Sequence, residues 1–203
     1  MQGLFTEKRH YTPEEYLALD DAANSKSEYR NGEIIPMTAG TTNHNRILLN
    51  LVSRINLAFA QVDYEVFMAD VKLWIPSPRV YTYPGVMVVA NEVEYHNQRM
   101  DIICNPCVIV EVLSESTEDS DRQEKFSSYR TIPSFQEYVL IDQTRVRIEH
   151  HTKQAAKRWM LQDLDGDDRQ LQLISIPFTI SLEDLYHKVK FAEAEPVGET
   201  GLT

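Results

Sequence analysis

At 203 residues, 42% hydrophobic and 25% charged, the chain has the make-up of one globular domain, and it is long enough to bury a core without disulfides or a structural metal. A net charge of −11 weighs against broad, non-specific attraction to nucleic acid, which feeds on phosphate neutralisation, but leaves room for a local site where divalent ions offset acidic charge. No apolar run approaches the ~20 residues of a membrane helix, and the opening stretch Met1-Gln2-Gly3-Leu4-Phe5-Thr6-Glu7-Lys8 has no signal-peptide core, so no membrane association and a cytoplasmic location are expected.

The first element is a helix. Thr12-Pro13-Glu14-Glu15 combines a capping threonine, proline at the first helical position and a glutamate that closes a capping box, followed by Tyr16, Leu17 and Leu19. Ser27 to Ile35 reads as a hairpin turning at Asn31-Gly32. Thr42 to about Gln61 is the longest helix, because Ile47, Leu48, Leu51, Val52, Ile55, Ala58 and Phe59 recur at the spacing of a core-facing stripe. His44 sits in its first turn, where a polar cap is the plainest role.

Strands are expected at Glu65–Met68, Val71–Ile75 and Val86–Ala90. Pro76, Pro78 and Pro84 lie between the last two, and imply a loop with no central strand there. Cys104 and Cys107 are the only cysteines. A redox pair would sit where a strand runs into a helix, whereas this C-x-x-C runs into a strand, and two further zinc ligands are lacking; ordinary thiols are the expectation, with a redox protein as the rival.

Val108-Ile109-Val110-Glu111-Val112-Leu113-Ser114 carries the most information. A run this apolar is a strand buried on both faces. A carboxylate inside it costs several kcal/mol if unpaired. Glu111 therefore needs a metal, a cation or a hydrogen-bond network, and spacing alone does not separate a hydrolytic site from a structural ion pair. Ser116-Thr117-Glu118-Asp119 then opens a helix to about Arg130, on which Asp121 and Lys125 are spaced for an i, i+4 ion pair. Strands at Gln136–Ile141 and Val146–His150, shorter ones at Arg158–Leu161 and Leu171–Ile174, an acidic turn over Asp163–Asp168 and a last helix from Ser181 to about Lys188 complete the order. The architecture implied is α/β, a mixed sheet flanked by helices, in a single domain over residues 1–190, with 191–203 a disordered tail.

Several of these motifs, in order, resemble the Uma-type family, which is assigned to the restriction-endonuclease-like PD-(D/E)XK superfamily. The resemblance rests on Ile109 to Ser114, Ser116-Thr117, Asp121-Arg122, Glu124-Lys125-Phe126, Tyr129-Arg130, Ile132-Pro133-Ser134 and Glu137 to Asp142. Upstream it continues through Tyr11 to Tyr16, Glu28, Asn31-Gly32-Glu33, His44 and Tyr83-Pro84, so that it spans roughly residues 10 to 188. It implies a metal-dependent endonuclease that hydrolyses phosphodiester bonds in DNA with Mg²⁺ or Mn²⁺. Carried over by position, Glu111 is a metal ligand, Glu28 binds metal directly or through water, Lys125 orients the nucleophile from the following helix, and His44 contacts phosphate or water. By analogy, a homodimer would cut both strands. The family reads Tyr-Pro-Asp where this chain has Tyr83-Pro84-Gly85, which removes a carboxylate. That departure raises the alternative of a catalytically degenerate nuclease-fold module that binds nucleic acid or a protein partner.

Overall fold

Two sheets share the work in the computed structural model, which describes residues 9–114 and 118–191. The small sheet joins β1 (Ser27–Arg30), β2 (Glu33–Pro36), β4 (Lys72–Ile75), β5 (Val80–Thr82) and β7 (Ile102–Ile103) in the order β2-β1-β5-β4-β7. The large sheet joins β3 (Tyr64–Met68), β6 (Val86–Ala90), β8 (Val108–Leu113), β9 (Glu137–Asp142), β10 (Arg147–Ala155) and β11 (Arg158–Asp165) in the order β11-β10-β9-β8-β6-β3. Within the large sheet only β8 and β9 run parallel; they are joined by a helical crossover, as parallel neighbours require. A separate ribbon pairs β12 (Gln170–Gln172) with β13 (Thr179–Ser181).

Local chemistry explains the helices and turns. Helix α1 (Pro13–Ala22) starts with the expected capping box: Glu15 N–H donates to Thr12 Oγ1 at 3.2 Å and Thr12 N–H to Glu15 Oε2 at 2.9 Å. The β1–β2 loop uses left-handed backbone at Asn31 (φ 45°) and Gly32 (φ 106°), which is what an Asn-Gly hairpin supplies. Helix α2 (Thr42–Ala58) is capped by Thr41 and buries Ile47, Leu48, Leu51 and Ile55. This stripe packs on Val86, Val88, Val108, Val110 and Val112, one face of the large sheet. Along β8 the alternate residues Ile109 and Leu113 face the other core, with Leu73, Ile75, Tyr129 and Tyr138. Glu111 belongs to that second face by the same period of two.

The chain passes directly between the sheets three times, at residues 69–71, 83–85 and 104–107. These crossings correct the reading of the prolines. Pro84 and Pro106 lie at crossings, and Pro76 and Pro78 lie in the turn between β4 and β5, so none interrupts a ladder; Val80–Thr82 is a buried strand in the middle of the small sheet. The C-x-x-C segment is likewise a crossing. Both cysteines are free: the Cys107 thiol donates to the Val88 carbonyl at 3.3 Å and burial pushes its pKa up to about 11. Burial raises Cys104 as well, so neither is an activated thiolate.

Other boundaries differ modestly. α2 stops at Ala58, β11 runs through Asp163 to Asp165, and β7 and β13 are too short to carry a pattern in sequence. The last helix, α5, covers only Leu182–Leu185. In the acidic turn, Asp165 and Asp168 accept backbone N–H bonds from Asp167 and Asp165, both at 2.9 Å, as turn residues do. Ser116-Thr117, in both the helix reading and the family motif, and the tail from Glu193 lie outside the described residues. No described helix is long and apolar enough to cross a membrane.

Packing of α2 on the sheet sets a stability expectation. Leu51, fully buried, should cost about 2–5 kcal/mol when replaced by Ala. Leu57, on the same helix but 75% exposed, should cost within about 0.5 kcal/mol. Urea denaturation of the two variants checks the difference.

Candidate active site

Four stretches of chain meet where the two sheets face each other. Glu28 comes from β1, Gly85 from the crossing into β6, Glu111 from the middle of β8, and Lys125 from the helix that follows β8. That helix is irregular: α3 (Glu118–Ser120) leads through a π turn over Asp121–Lys125 into α4 (Phe126–Tyr129). Such turns often mark functional sites. The Tyr138 hydroxyl, from β9, donates to the Asp121 carbonyl at 3.0 Å and holds the π turn against the sheet.

The Glu111 carboxylate is fully engaged. Its Oε2 accepts the Gly85 N–H at 3.1 Å, and its Oε1 accepts Lys125 Nζ at 3.1 Å and the Tyr129 hydroxyl at 2.8 Å. Lys125 Nζ lies among three carboxylates, 2.9 Å from Asp121 Oδ1, 3.1 Å from Glu111 Oε1 and 3.7 Å from Glu28 Oε1. Glu28 also accepts the Thr82 hydroxyl and pairs with Arg30, whose Nη2 is 3.4 Å from Oε2. Glu28, Glu111, Asp121 and Lys125 are all buried.

Burial and charge compete at this cluster. Desolvation pushes Glu111 up to about 7 from the usual 4.5, against the pull of Lys125, with Asp121 adding to the rise. Lys125 is held well above the ordinary lysine value: burial opposes its charge, but Glu111, Glu28 and Asp121 outweigh it. Burial also raises Tyr129. His44, half-buried in the first turn of α2, is lowered by burial, raised by Asp121 and lowered by Lys125, so it feels the cluster's charges. Among the described residues no hydrogen bond or ion pair ties its ring, which lies against Gly40.

The structure therefore brings together Glu28, Glu111 and Lys125 beside the Gly85 backbone, while His44 makes no hydrogen bond or ion pair with them among the described residues. The i, i+4 ion pair expected of Asp121 and Lys125 forms, at 2.9 Å, and is buried; sequence analysis quoted Asp121 and Tyr129 in the family motif but gave neither a place in the site. Their spacing held a signal: Asp121, Lys125 and Tyr129 recur every four residues, and one helix face carrying acid, base and phenol next to a buried glutamate is a site pattern.

Comparison with known proteins matches the chain to a family. Residues 13–183 match the model of Uma2, described as "Putative restriction endonuclease". The chain belongs to the Uma2 family. It is 41% identical to the uncharacterized protein sll1609 of Synechocystis sp. over 79% of this chain and 91% of that one, and 33% identical to slr1290 of the same organism over 89% and 93%. Among solved structures it resembles "a putative nuclease belonging to DUF820" from Anabaena variabilis, with a TM-score of 0.71 and 20% identity, covering 87% of this chain and 97% of that one. The fold is restriction-endonuclease-like, and the family's function is of nuclease type. Restriction-endonuclease-like families generally use divalent metals.

Gly85 is locked in by packing. A Cβ there would lie 2.9 Å from the Val110 carbonyl oxygen and 3.2 Å from Leu48 Cδ2. An aspartate at this position would have to move β6 from β8. Gly85→Ala should thus destabilise the fold by about 1–3 kcal/mol, as overpacking does, read as a lower urea midpoint with unchanged slope.

Glu111 also fixes a pH dependence. Its native pKa is raised, so the native state holds this proton more tightly than the unfolded chain. The resulting stability is fully present below about 4.5 and is lost as pH rises through about 7. Glu111→Gln lacks this loss, so the stability of the variant relative to the parent should increase from pH 5 to pH 8. Urea midpoints at the two pH values measure it; a constant difference would contradict the raised pKa.

Proposed function

We propose that this chain is an endonuclease that hydrolyses phosphodiester bonds in DNA, with Mg²⁺ or Mn²⁺ at the Glu111 cluster. The observation that supports it best is the convergence of Glu28, Glu111 and Lys125, from three separate elements, on one buried point next to the β6 crossing.

A divalent ion suits the chemistry of the donors, which are hard carboxylate oxygens. Glu111 and Glu28 would hold it. Asp121 offers a third oxygen, since its buried Oδ1 has no directed hydrogen bond although Lys125 is near. Asp121 thus supplies a carboxylate that Gly85 does not. Among the described residues no three such side chains stand arranged as a metal cage, and Lys125 lies between the carboxylates. When bound, such an ion supplies an activated water and positive charge at the phosphoryl group.

The chain's own groups have definable parts. Gly85 N–H and Tyr129 fix the Glu111 carboxylate. Lys125 carries a permanent charge able to donate to the attacking water or to a phosphate oxygen, where charge builds in the transition state. His44, lowered by burial, offers a neutral imidazole to phosphate or water rather than a second charge.

The second reading, a nuclease-fold module that binds without cutting, is favoured by Gly85 and by the complete pairing of Lys125. Supercoiled plasmid incubated with Mn²⁺ or Mg²⁺ separates the two. The endonuclease reading expects metal-dependent nicking that falls at least about 100-fold in Glu111→Ala. DNA left intact with either ion, yet retarded on a native gel, would establish the binding module instead.

A further inference from the structure

The position of Lys125 has a meaning of its own. Three buried carboxylates from β1, β8 and the π turn surround a single ammonium nitrogen at 3.7, 3.1 and 2.9 Å. Three buried carboxylates this close can all ionise only with a cation among them. Lys125 is that cation in this structure. It comes from the element that also carries Asp121, so the helix brings both the third acid and its neutraliser. Asp121 Oδ1, 2.9 Å from Nζ, nonetheless lacks a directed hydrogen bond.

We propose that Lys125 and a divalent cation are alternative occupants of one position among Glu28, Glu111 and Asp121, so that Lys125 must withdraw for the metal to enter. This rests on the metal-dependent reading of the cluster and adds to it a built-in competitor. Lys125 keeps the metal-free protein folded and electrically balanced, and holds metal affinity down. Removing a nearby ammonium raises divalent-cation affinity by relief of repulsion alone, so what separates a competitor from a positioning group is labelling of the amine: a lysine that only positions the nucleophile stays in place when the metal binds. A lysine that occupies the metal's place has to leave it.

Lys125 is buried, so its withdrawal has to carry the ammonium out of the cluster on a flexible stem. Its four-carbon stem lets the ammonium swing while the backbone of the π turn stays in place. Arg30 already approaches Glu28 from the other side and partners Ser120 and Glu124, so Glu28 keeps a cationic neighbour when Lys125 leaves.

The test is isothermal titration of Mn²⁺ into the full-length parent, Lys125→Met and Lys125→Met/Glu111→Gln, with thermal melts of each. Lys125→Met should melt below the parent without metal, recover with Mn²⁺ and bind Mn²⁺ at least about tenfold more tightly. The double variant should lose that gain. The parent provides a check that needs no folded variant: amine acylation followed by mass spectrometry should label Lys125 slowly without metal and faster with saturating Mn²⁺. Equal or weaker Mn²⁺ binding in Lys125→Met, or labelling that Mn²⁺ does not change, overturns the exclusion alone if the parent binds Mn²⁺ and nicks DNA. No Mn²⁺ binding at millimolar concentration in either the parent or Lys125→Met overturns the metal-dependent reading together with it.

Discussion

A carboxylate in the middle of a buried strand is the constraint around which this protein is organised. Glu111 lies among valines, isoleucine and leucine on β8, where an unpaired charge would cost several kcal/mol. Each partner that relieves the cost imposes structure elsewhere. The Gly85 N–H requires β6 to enter the sheet at one place, Tyr129 and Lys125 require the helix after β8 to turn a particular face inward, and the π turn lets Asp121 share that face. Glu28 then anchors the small sheet to the same charge cluster through Lys125.

Much of this was legible in the sequence, for physical reasons that can be named. Glu111 stood out because nothing else in an apolar run is charged. Helix α1 was readable from its capping box, the hairpin from Asn31-Gly32, and α2 from a stripe that persists over four turns. Glu28, His44 and Lys125 were reachable only through the family resemblance, because their partners are distant in sequence. What failed was reading proline as a feature of a whole interval. Pro76, Pro78 and Pro84 flank a three-residue strand without entering it, and nothing in the sequence marks a chain that changes sheets. Asp121 and Tyr129 were named without a part in the site, because a helix face shows its chemistry only once the strand beneath it is known.

The surface is governed by a different balance. Many basic side chains are already committed to acids: Arg54 to Asp184, Arg99 to Asp21 and Asp101, Arg122 to Glu149, and Arg147 to Asp163. A net charge of −11 therefore coexists with little free positive surface in these regions. Approach of a polyanion is opposed at long range and has to be won locally, so its strength should depend on what happens at the Glu28–Glu111 seam more than on general attraction.

The crossings between the sheets bear on motion. At residues 83–85 the chain leaves the small sheet for the large one, and the last amide of that passage is bonded to Glu111. The small sheet and the charge cluster are therefore mechanically in series: what sits between Glu28 and Glu111 sets how firmly one sheet leans on the other. Occupancy of the cluster becomes a tension felt along β1 and β5, some distance from any bound molecule. Amide protons in those two strands, rather than those of the densely packed β8, are where a change of state at the cluster would first be felt as a change in exchange rate.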